Sequence, residues 1–210
     1  MTQARILPAG RAGSLDEAAA LLRAGALVAF PTDTVYGLGA HVFSAEAVAG
    51  LYASKGRSQE KSIPVLLADL DDLARIVAEV PAAAWKLAHT FWPGALTLVM
   101  PRRPELPEAV SAGPGVAVRL PDHALTRDLI RAAGAPLATT SANRSGEPNT
   151  VTAAQVAAVL GERIAAILDG GDAPGGVPST VVDCTVYPPR VLRHGALALE
   201  ILQAVVPDLI

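Results

Sequence analysis

The chain has 210 residues, 51% of them hydrophobic, and a formal net charge of −3. That length and apolar share can fill a sizeable core, and the acidic balance excludes a protein whose main task is to coat nucleic acid, a role that shows as a basic excess. A single cysteine, Cys184, excludes an internal disulfide framework and a thiolate-rich metal site, and points to a reducing compartment.

In chain order, Met1–Gly10 lacks a basic start followed by an apolar run, and the longest apolar runs are strand-sized; a soluble, cytoplasmic chain with no membrane partner is expected. Ser14 with Glu17 three residues on has the form of a capping box, which predicts a helix over Leu15–Ala24 stopped by Gly25. Strands are expected at Ala26–Phe30, Pro64–Ala68, Ala95–Met100, Val116–Leu120, Pro136–Thr140, Ile164–Asp169, Thr180–Cys184 and Val191–Arg193. Between them, Ser44–Ala53, Leu70–Ala78, Ala82–Phe91, His123–Ala133 and Thr152–Leu160 carry helical periodicity. The alternation predicts an α/β fold, helices packed on a mixed sheet. The Pro-rich stretch Pro101–Pro107 reads as a surface loop rather than a domain boundary.

Polar clusters gather where strands end. Ala26–Phe30 runs into Pro31-Thr32-Asp33-Thr34, with Gly37 and Gly39 just beyond; Thr139–Gly146 follows a second strand, and Gly170–Thr180 follows a third. Strand ends are where α/β sheets hold ligands, glycines let backbone N–H groups face an anion, and hydroxyls donate to its oxygens. Gly, Ser, Thr and Asn also fill ordinary turns, so each loop alone says little. Lysine adds weight: the chain uses fourteen arginines and three lysines, yet Lys55 and Lys61 bracket Arg57 within seven residues. Compact ammonium charges placed beside a guanidinium suit a polyphosphate, although a solvated loop has the same look.

Familiar site motifs are missing. The dipeptide Gly-Lys does not occur, which excludes a P-loop, and neither Gly37-Leu38-Gly39 nor Gly113-Pro114-Gly115 continues into a dinucleotide fingerprint. His41, His89, His123 and His194 lack the spacing of paired zinc ligands. No nucleophile elbow surrounds Ser141 or Cys184, so a hydrolase is disfavoured.

Six segments, taken together and in order, resemble one family: Phe30–Gly39, Lys55-Gly56-Arg57…Lys61, Trp92–Thr97, Val116–Pro121, Ser141–Gly146 and Pro178–Asp183. They are similar to the successive signatures of the YrdC-like threonylcarbamoyl-AMP synthases, over roughly residues 10 to 200. The resemblance implies a YrdC-like fold: a twisted mixed β-sheet with helices packed on it and an open concave nucleotide-binding cleft. One such domain is expected to fill residues 1–210, with no second C-terminal domain. The implied enzyme is a nucleotidyltransferase that joins L-threonine, bicarbonate and ATP into threonylcarbamoyl-adenylate and pyrophosphate, for N6-threonylcarbamoylation of tRNA. A downstream threonylcarbamoyl-transfer enzyme complex is the implied partner, and tRNA itself a further contact.

Carried over by motif, Thr34, Arg119 and Ser179 would bind threonine, with Arg119 on its carboxylate. Lys55, Arg57 and Lys61 would be the catalytic cations facing the triphosphate. Arg57 and Lys61 together with Thr139, Ser141, Asn143 and Arg193 would hold the nucleotide. Mg²⁺ is expected with ATP, its protein ligands unassigned. Asp33 would help place Mg²⁺ or the amine, or else form an Asx turn. Departures are Ser58 and Glu60 where relatives often have Pro and Asp, and Leu66 where some have histidine, so no threonine contact is assigned there. Two rivals are an RNA-binding module using the same basic groove and a domain handling a carbamoyl-adenylate. The first would be marked by steep salt dependence, the second by indifference to threonine.

Overall fold

A computed structural model describes residues 3–56, 58, 62–175 and 177–210. In chain order the elements are β1 (Arg5–Pro8), α1 (Ser14–Arg23), β2 (Val28–Phe30), β3 (Gly37–His41), α2 (Ala45–Lys55), β4 (Val65–Leu66), a 3₁₀ turn (Leu70–Asp72) running into α3 (Leu73–Ile76), α4 (Ala82–Phe91) and β5 (Leu96–Pro101). They continue with β6 (Gly115–Arg119), α5 (Ala124–Ala133), β7 (Leu137–Ser141), α6 (Ala153–Leu160), β8 (Ala166–Asp169), β9 (Thr180–Asp183), β10 (Arg190–Arg193) and α7 (Leu199–Gln203). The ten strands form one mixed sheet in the order β1-β8-β2-β3-β7-β4-β6-β5-β9-β10. Pairing is parallel at β1–β8, β8–β2, β4–β6 and β5–β9, and antiparallel elsewhere.

Strand alternation sorts the core into two layers. Ala29, Val65, Ala138 and Ile167 belong to the layer under α2, α3, α4, α6 and α7, while their neighbours Val28, Phe30, Leu66, Leu137, Ala166 and Leu168 belong to the layer under α1 and α5. Both faces of the middle strands are therefore buried, which is why β2 and β8 read as continuous apolar runs.

β3 was not among the expected strands, because Gly37 and Gly39 imitate a turn. They sit in the ladder because the fully buried ring of Phe30 lies across them. A Cβ at Gly39 would come within 2.6 Å of the ring, and one at Gly37 within 2.9 Å of the Thr139 methyl. Burying a phenyl ring stabilises by about 1.5–3 kcal/mol, so the strand gives up its side chains to admit it.

The capping box at Ser14 does not form. The cap is Gly13, at φ 82°, and Ser14 is already inside α1; its hydroxyl accepts from Arg11 Nε at 3.0 Å while Glu17 pairs with Arg5 and Arg11. Competing arginines draw the Glu17 carboxylate away from the helix end. Gly25 closes the helix as expected, at φ 82°. Thr152 and Gln155 make the reciprocal cap instead, at the start of α6.

Candidate functional site

A cavity of about 370 Å³ opens over the middle of the sheet, on the face that α1 and α5 cover elsewhere. The alternation that builds the core also builds the cavity. Leu96, Leu98, Val118 and Ala138 point into the opposite layer, so Thr97, Arg119 and Thr139 point into the cavity, with Leu66 beside them. The loop after β2 adds Thr32, Thr34 and Val35, the end of β7 adds Ser141, and the segments around β9 and β10 add Ser179 and Arg193. A larger hollow of about 600 Å³ near Arg23, His41, Phe43 and Glu46 contains none of the residues singled out in the sequence.

The loop after β2 is organised by a hydroxyl. Thr32 Oγ1 accepts the backbone N–H of Thr34 at 3.1 Å and of Val35 at 3.2 Å, and donates to the Val35 carbonyl at 2.7 Å. This is a threonine turn, so the Asx turn centred on Asp33 is replaced by one centred on its neighbour. Thr126 Oγ1 at the head of α5 donates to the Pro31 carbonyl and fastens the loop to the helix layer. Tyr36 donates its hydroxyl to the Gly171 carbonyl at 2.7 Å, tying this loop to the glycine-rich segment after β8; burial and the nearby Asp169 hold its phenol well above the ordinary range.

Arg119 is held by three elements. Its Nε donates to the Gly94 carbonyl at 2.9 Å, Nη1 to Thr34 Oγ1 at 3.2 Å and Nη2 to Asp33 Oδ1 at 2.6 Å. The carboxylate assigned to Mg²⁺ or an amine is thus engaged by a guanidinium. Arg193 donates through Nε and Nη2 to the Ser179 carbonyl at 3.2 and 2.9 Å, and through Nη2 to its hydroxyl at 3.1 Å. Ser179 Oγ also lies 2.8 Å from Thr97 Oγ1. Burial lowers the Arg193 guanidinium below its ordinary value, and the neighbouring Arg119 cation adds to the shift. Two guanidinium groups against one carboxylate leave the cavity with local positive charge, suited to a carboxylate or phosphate.

Gly195 makes this arrangement possible. A Cβ there would run into the Pro178 carbonyl oxygen, the Ser179 carbonyl carbon and the Thr180 nitrogen. Without one, the chain lies flat on that segment: Ala196 N donates to Pro178 O at 3.0 Å, Leu197 N to Thr180 Oγ1 at 3.0 Å, and Arg193 reaches Ser179.

At the other end, Lys55 is buried in the last turn of α2 and donates to the Ser141 carbonyl and to Asn143 Oδ1, the latter at 3.2 Å. Ser141 Oγ donates to the same Asn143 oxygen at 2.5 Å, and Asn143 Nδ2 donates to the Glu147 carbonyl at 2.5 Å. Lys55 and Asn143 therefore stand behind the cavity wall that Ser141 forms. Arg57 and Lys61 lie outside the described residues.

Thr34, Arg119, Thr139, Ser141, Ser179 and Arg193 thus share one cavity. Polar lining residues that the sequence reading did not assign are Thr32, Ser62, Thr97, Thr140 and Asn149. Thr97 had a signal: a hydroxyl between Leu96 and Leu98 in an otherwise apolar strand. Of the remaining titratable groups, burial pushes the Cys184 thiol up to about 12, aided by Asp183. That excludes a thiolate nucleophile near neutral pH.

The family model Sua5_yciO_yrdC, described as Telomere recombination, matches residues 20–195. The chain belongs to this family. It is 46% identical over 192 residues to threonylcarbamoyl-AMP synthase of Bacillus subtilis, which covers 90% of the chain and 56% of the Bacillus protein. It is 38% identical over 173 residues to the enzyme of the same name from Chromohalobacter salexigens, covering 82% of the chain and 93% of that protein. The crystal structure of Pyrococcus abyssi Sua5 complexed with L-threonine superimposes with a TM-score of 0.92 at 39% identity, over 99% of this chain and 62% of the archaeal one. The chain therefore spans somewhat more than half the length of its longer Sua5-type relatives, and nearly all of a short one. The mixed α/β sheet expected from the sequence is the fold of this family.

Proposed function

We propose that the chain is an L-threonylcarbamoyladenylate synthase. The observation that carries this reading is the single cavity that gathers Thr34, Arg119, Thr139, Ser141, Ser179 and Arg193, in a chain 39% identical to a Sua5 crystallised with L-threonine. Arg119 receives the threonine carboxylate, and Thr34 and Ser179 complete the amino-acid subsite. Thr139, Ser141 and Arg193 hold the nucleotide from the cavity wall, Lys55 and Asn143 brace Ser141 from behind it, and Arg57 and Lys61 are assigned to the phosphates by their motif. The threonine amine adds to bicarbonate with loss of water, giving a carbamate. A carbamate oxygen then attacks the α-phosphorus, the bond to the β-phosphate oxygen breaks, and pyrophosphate leaves. No protein nucleophile is needed; alignment and charge stabilisation supply the rate.

Among the described residues no group of three or more His, Cys, Asp or Glu is placed to hold a metal. Mg²⁺ carried by triphosphate oxygens and water fits such a cavity, since that ion is commonly held through substrate phosphates with few protein ligands. The mixed anhydride formed is labile, so a threonylcarbamoyl-transfer enzyme complex that acts on tRNA is the partner class, with the cytoplasm as the compartment. No helix among the described residues is long and apolar enough to cross a membrane.

The test supplies ATP, bicarbonate, Mg²⁺ and L-threonine and follows pyrophosphate together with the mass of the adenylate. Product is expected only with all four present, with valine a poor substitute, because a cavity lined by hydroxyls leaves a polar partner unmet by a methyl group. Pyrophosphate release at the same rate without threonine would replace this reading with carbamoyl-adenylate handling.

A further inference from the structure

Asp33 sits between two cavity-lining residues, Thr32 and Thr34, yet does not itself line the cavity. Its Oδ1 accepts from Arg119 Nη2 at 2.6 Å, with only 14% of the Asp33 side chain and 8% of the Arg119 side chain exposed. We infer that Asp33 is a positioning residue: it fixes the rotation of the Arg119 guanidinium so that one remaining edge faces the amino-acid subsite. The inference rests on the reading of this cavity as that subsite.

The argument is an inventory of donors. A guanidinium carries five N–H groups. Gly94 O takes the one on Nε, Thr34 Oγ1 takes one on Nη1 and Asp33 takes one on Nη2. One N–H is left on each terminal nitrogen, the number a carboxylate needs for two-point capture. The carbonyl and the hydroxyl are neutral acceptors at 2.9 and 3.2 Å; Asp33 makes the shortest contact and the only charged one of the three. Without it, a substrate carboxylate would become the nearest counter-ion of a buried cation, and the guanidinium would be free to meet it in more than one orientation. His123, at the head of α5, also feels the Asp33 charge; burial lowers its imidazole below the ordinary value, Asp33 and Asp122 acting in the opposite sense. The cation in direct contact with Asp33 is Arg119, at 2.6 Å.

Two measurements on the whole chain test this separately. The first needs no ligand: nitrogen-15 NMR of the arginine side chains. In the parent, Arg119 Nη signals are expected to be resolved, because rotation about the Cζ–Nη bonds is hindered. In Asp33→Ala they are expected to merge, and in Asp33→Asn, whose amide oxygen still accepts from Nη2, to remain resolved. The second is calorimetric binding of L-threonine and, separately, of ATP. Asp33→Ala is expected to weaken threonine at least tenfold with ATP affinity changed less than twofold, while Asp33→Asn stays within about threefold of the parent for threonine, the tenfold loss corresponding to about 1.4 kcal/mol. An ion pair that only stabilised the fold would lower the melting temperature of both variants and leave threonine affinity alone. Should Asp33→Ala be too unstable to purify, Asp33→Ser takes its place, its hydroxyl too short to reach Nη2.

Resolved Nη signals in Asp33→Ala, unchanged threonine affinity in that variant, or an Asp33→Asn as defective as Asp33→Ala would each overturn the inference. Failure of the subsite reading looks different. There Arg119→Ala would leave threonine affinity at the parent value, whatever the NMR signals of the Asp33 variants show.

Discussion

Arg119 and Arg131 are both paired with aspartate at almost the same distance, 2.6 Å to Asp33 and 2.7 Å to Asp69, yet the two pairs do opposite things. Arg131 forks onto Asp69 through Nε and Nη2 and reaches Asp128 as well, with about half of each side chain in solvent. Its geometry is the better of the two: the Asp69 carboxyl is held below its ordinary value by the hydrogen bond from Arg131, and the guanidinium is shifted upward by the same contact. Water nevertheless screens the attraction, and exposed pairs contribute about 0–1 kcal/mol. Arg119 has one contact to its aspartate, but Arg119 is buried and the Asp33 side chain only 14% exposed, so removing either partner strands a charge in a poorly solvated place. Burial, not bond length or bond count, decides which pair the molecule depends on.

The most severe way to test this contrast is Arg119→Ala. It removes the proposed carboxylate receptor and leaves Asp33 without its partner, so two losses are expected together. Stability should fall by about 3–5 kcal/mol. The kcat/KM for threonine should fall roughly 100-fold or more, by the loss of charge-assisted hydrogen bonds worth about 1.5–3 kcal/mol each. Urea denaturation and threonine kinetics check both, and a variant as stable as the parent would break the contrast from the buried side.

Gly195→Ala comes next. The added methyl runs into the Pro178–Thr180 backbone, an overpacking that costs about 1–3 kcal/mol and lifts the Arg193 segment from Ser179. Activity with ATP and threonine is expected to drop about tenfold, near 1.4 kcal/mol, while the melting temperature moves by only a few degrees. Unaltered kinetics would mean that Arg193 does not need its seat on Ser179. The smallest effect belongs to the surface: Asp69→Asn should change stability by less than about 1 kcal/mol, and less still in high salt, with activity at the parent level. A loss of 3 kcal/mol there would break the contrast from the exposed side.

The same distinction between local and distant causes governs what the sequence revealed. Helix α4 was legible to the residue because its limits are local: Pro81 precedes it and Trp92-Pro93 follows it. The cavity residues Thr34, Arg119, Thr139, Ser141, Ser179 and Arg193 were legible through the resemblance of their motifs to one family, and alternation along β6 and β7, which is local, turns Arg119 and Thr139 to the same face. β1 and α7 were not expected at all, and three further features were misread. Gly37 and Gly39 read as a turn because the ring that makes them strand residues belongs to Phe30, on the neighbouring strand. Ser14 and Glu17 read as a cap because the arginines that compete for Glu17 lie in other segments. Asp33 was assigned to a metal or a turn because its partner is 86 positions away. Thr97 could have been found from its own strand, since a buried hydroxyl flanked by Leu96 and Leu98 marks a cavity wall.

The sheet order also sets a timetable for a chain emerging from the ribosome. β8 is the strand that enters between β1 and β2, pairing Arg5 with Ala166 on one side and Val28 with Ala166 on the other. The first strand made is therefore among the last to find its place: until residues 166–169 have been synthesised, β1 has no neighbour and β2 has one open edge. Such long-range closure is slow and leaves β-edges open to wrong pairing in the meantime. A nascent chain halted before residue 166 should hold β1 accessible to protease, and one released beyond residue 169 should protect it.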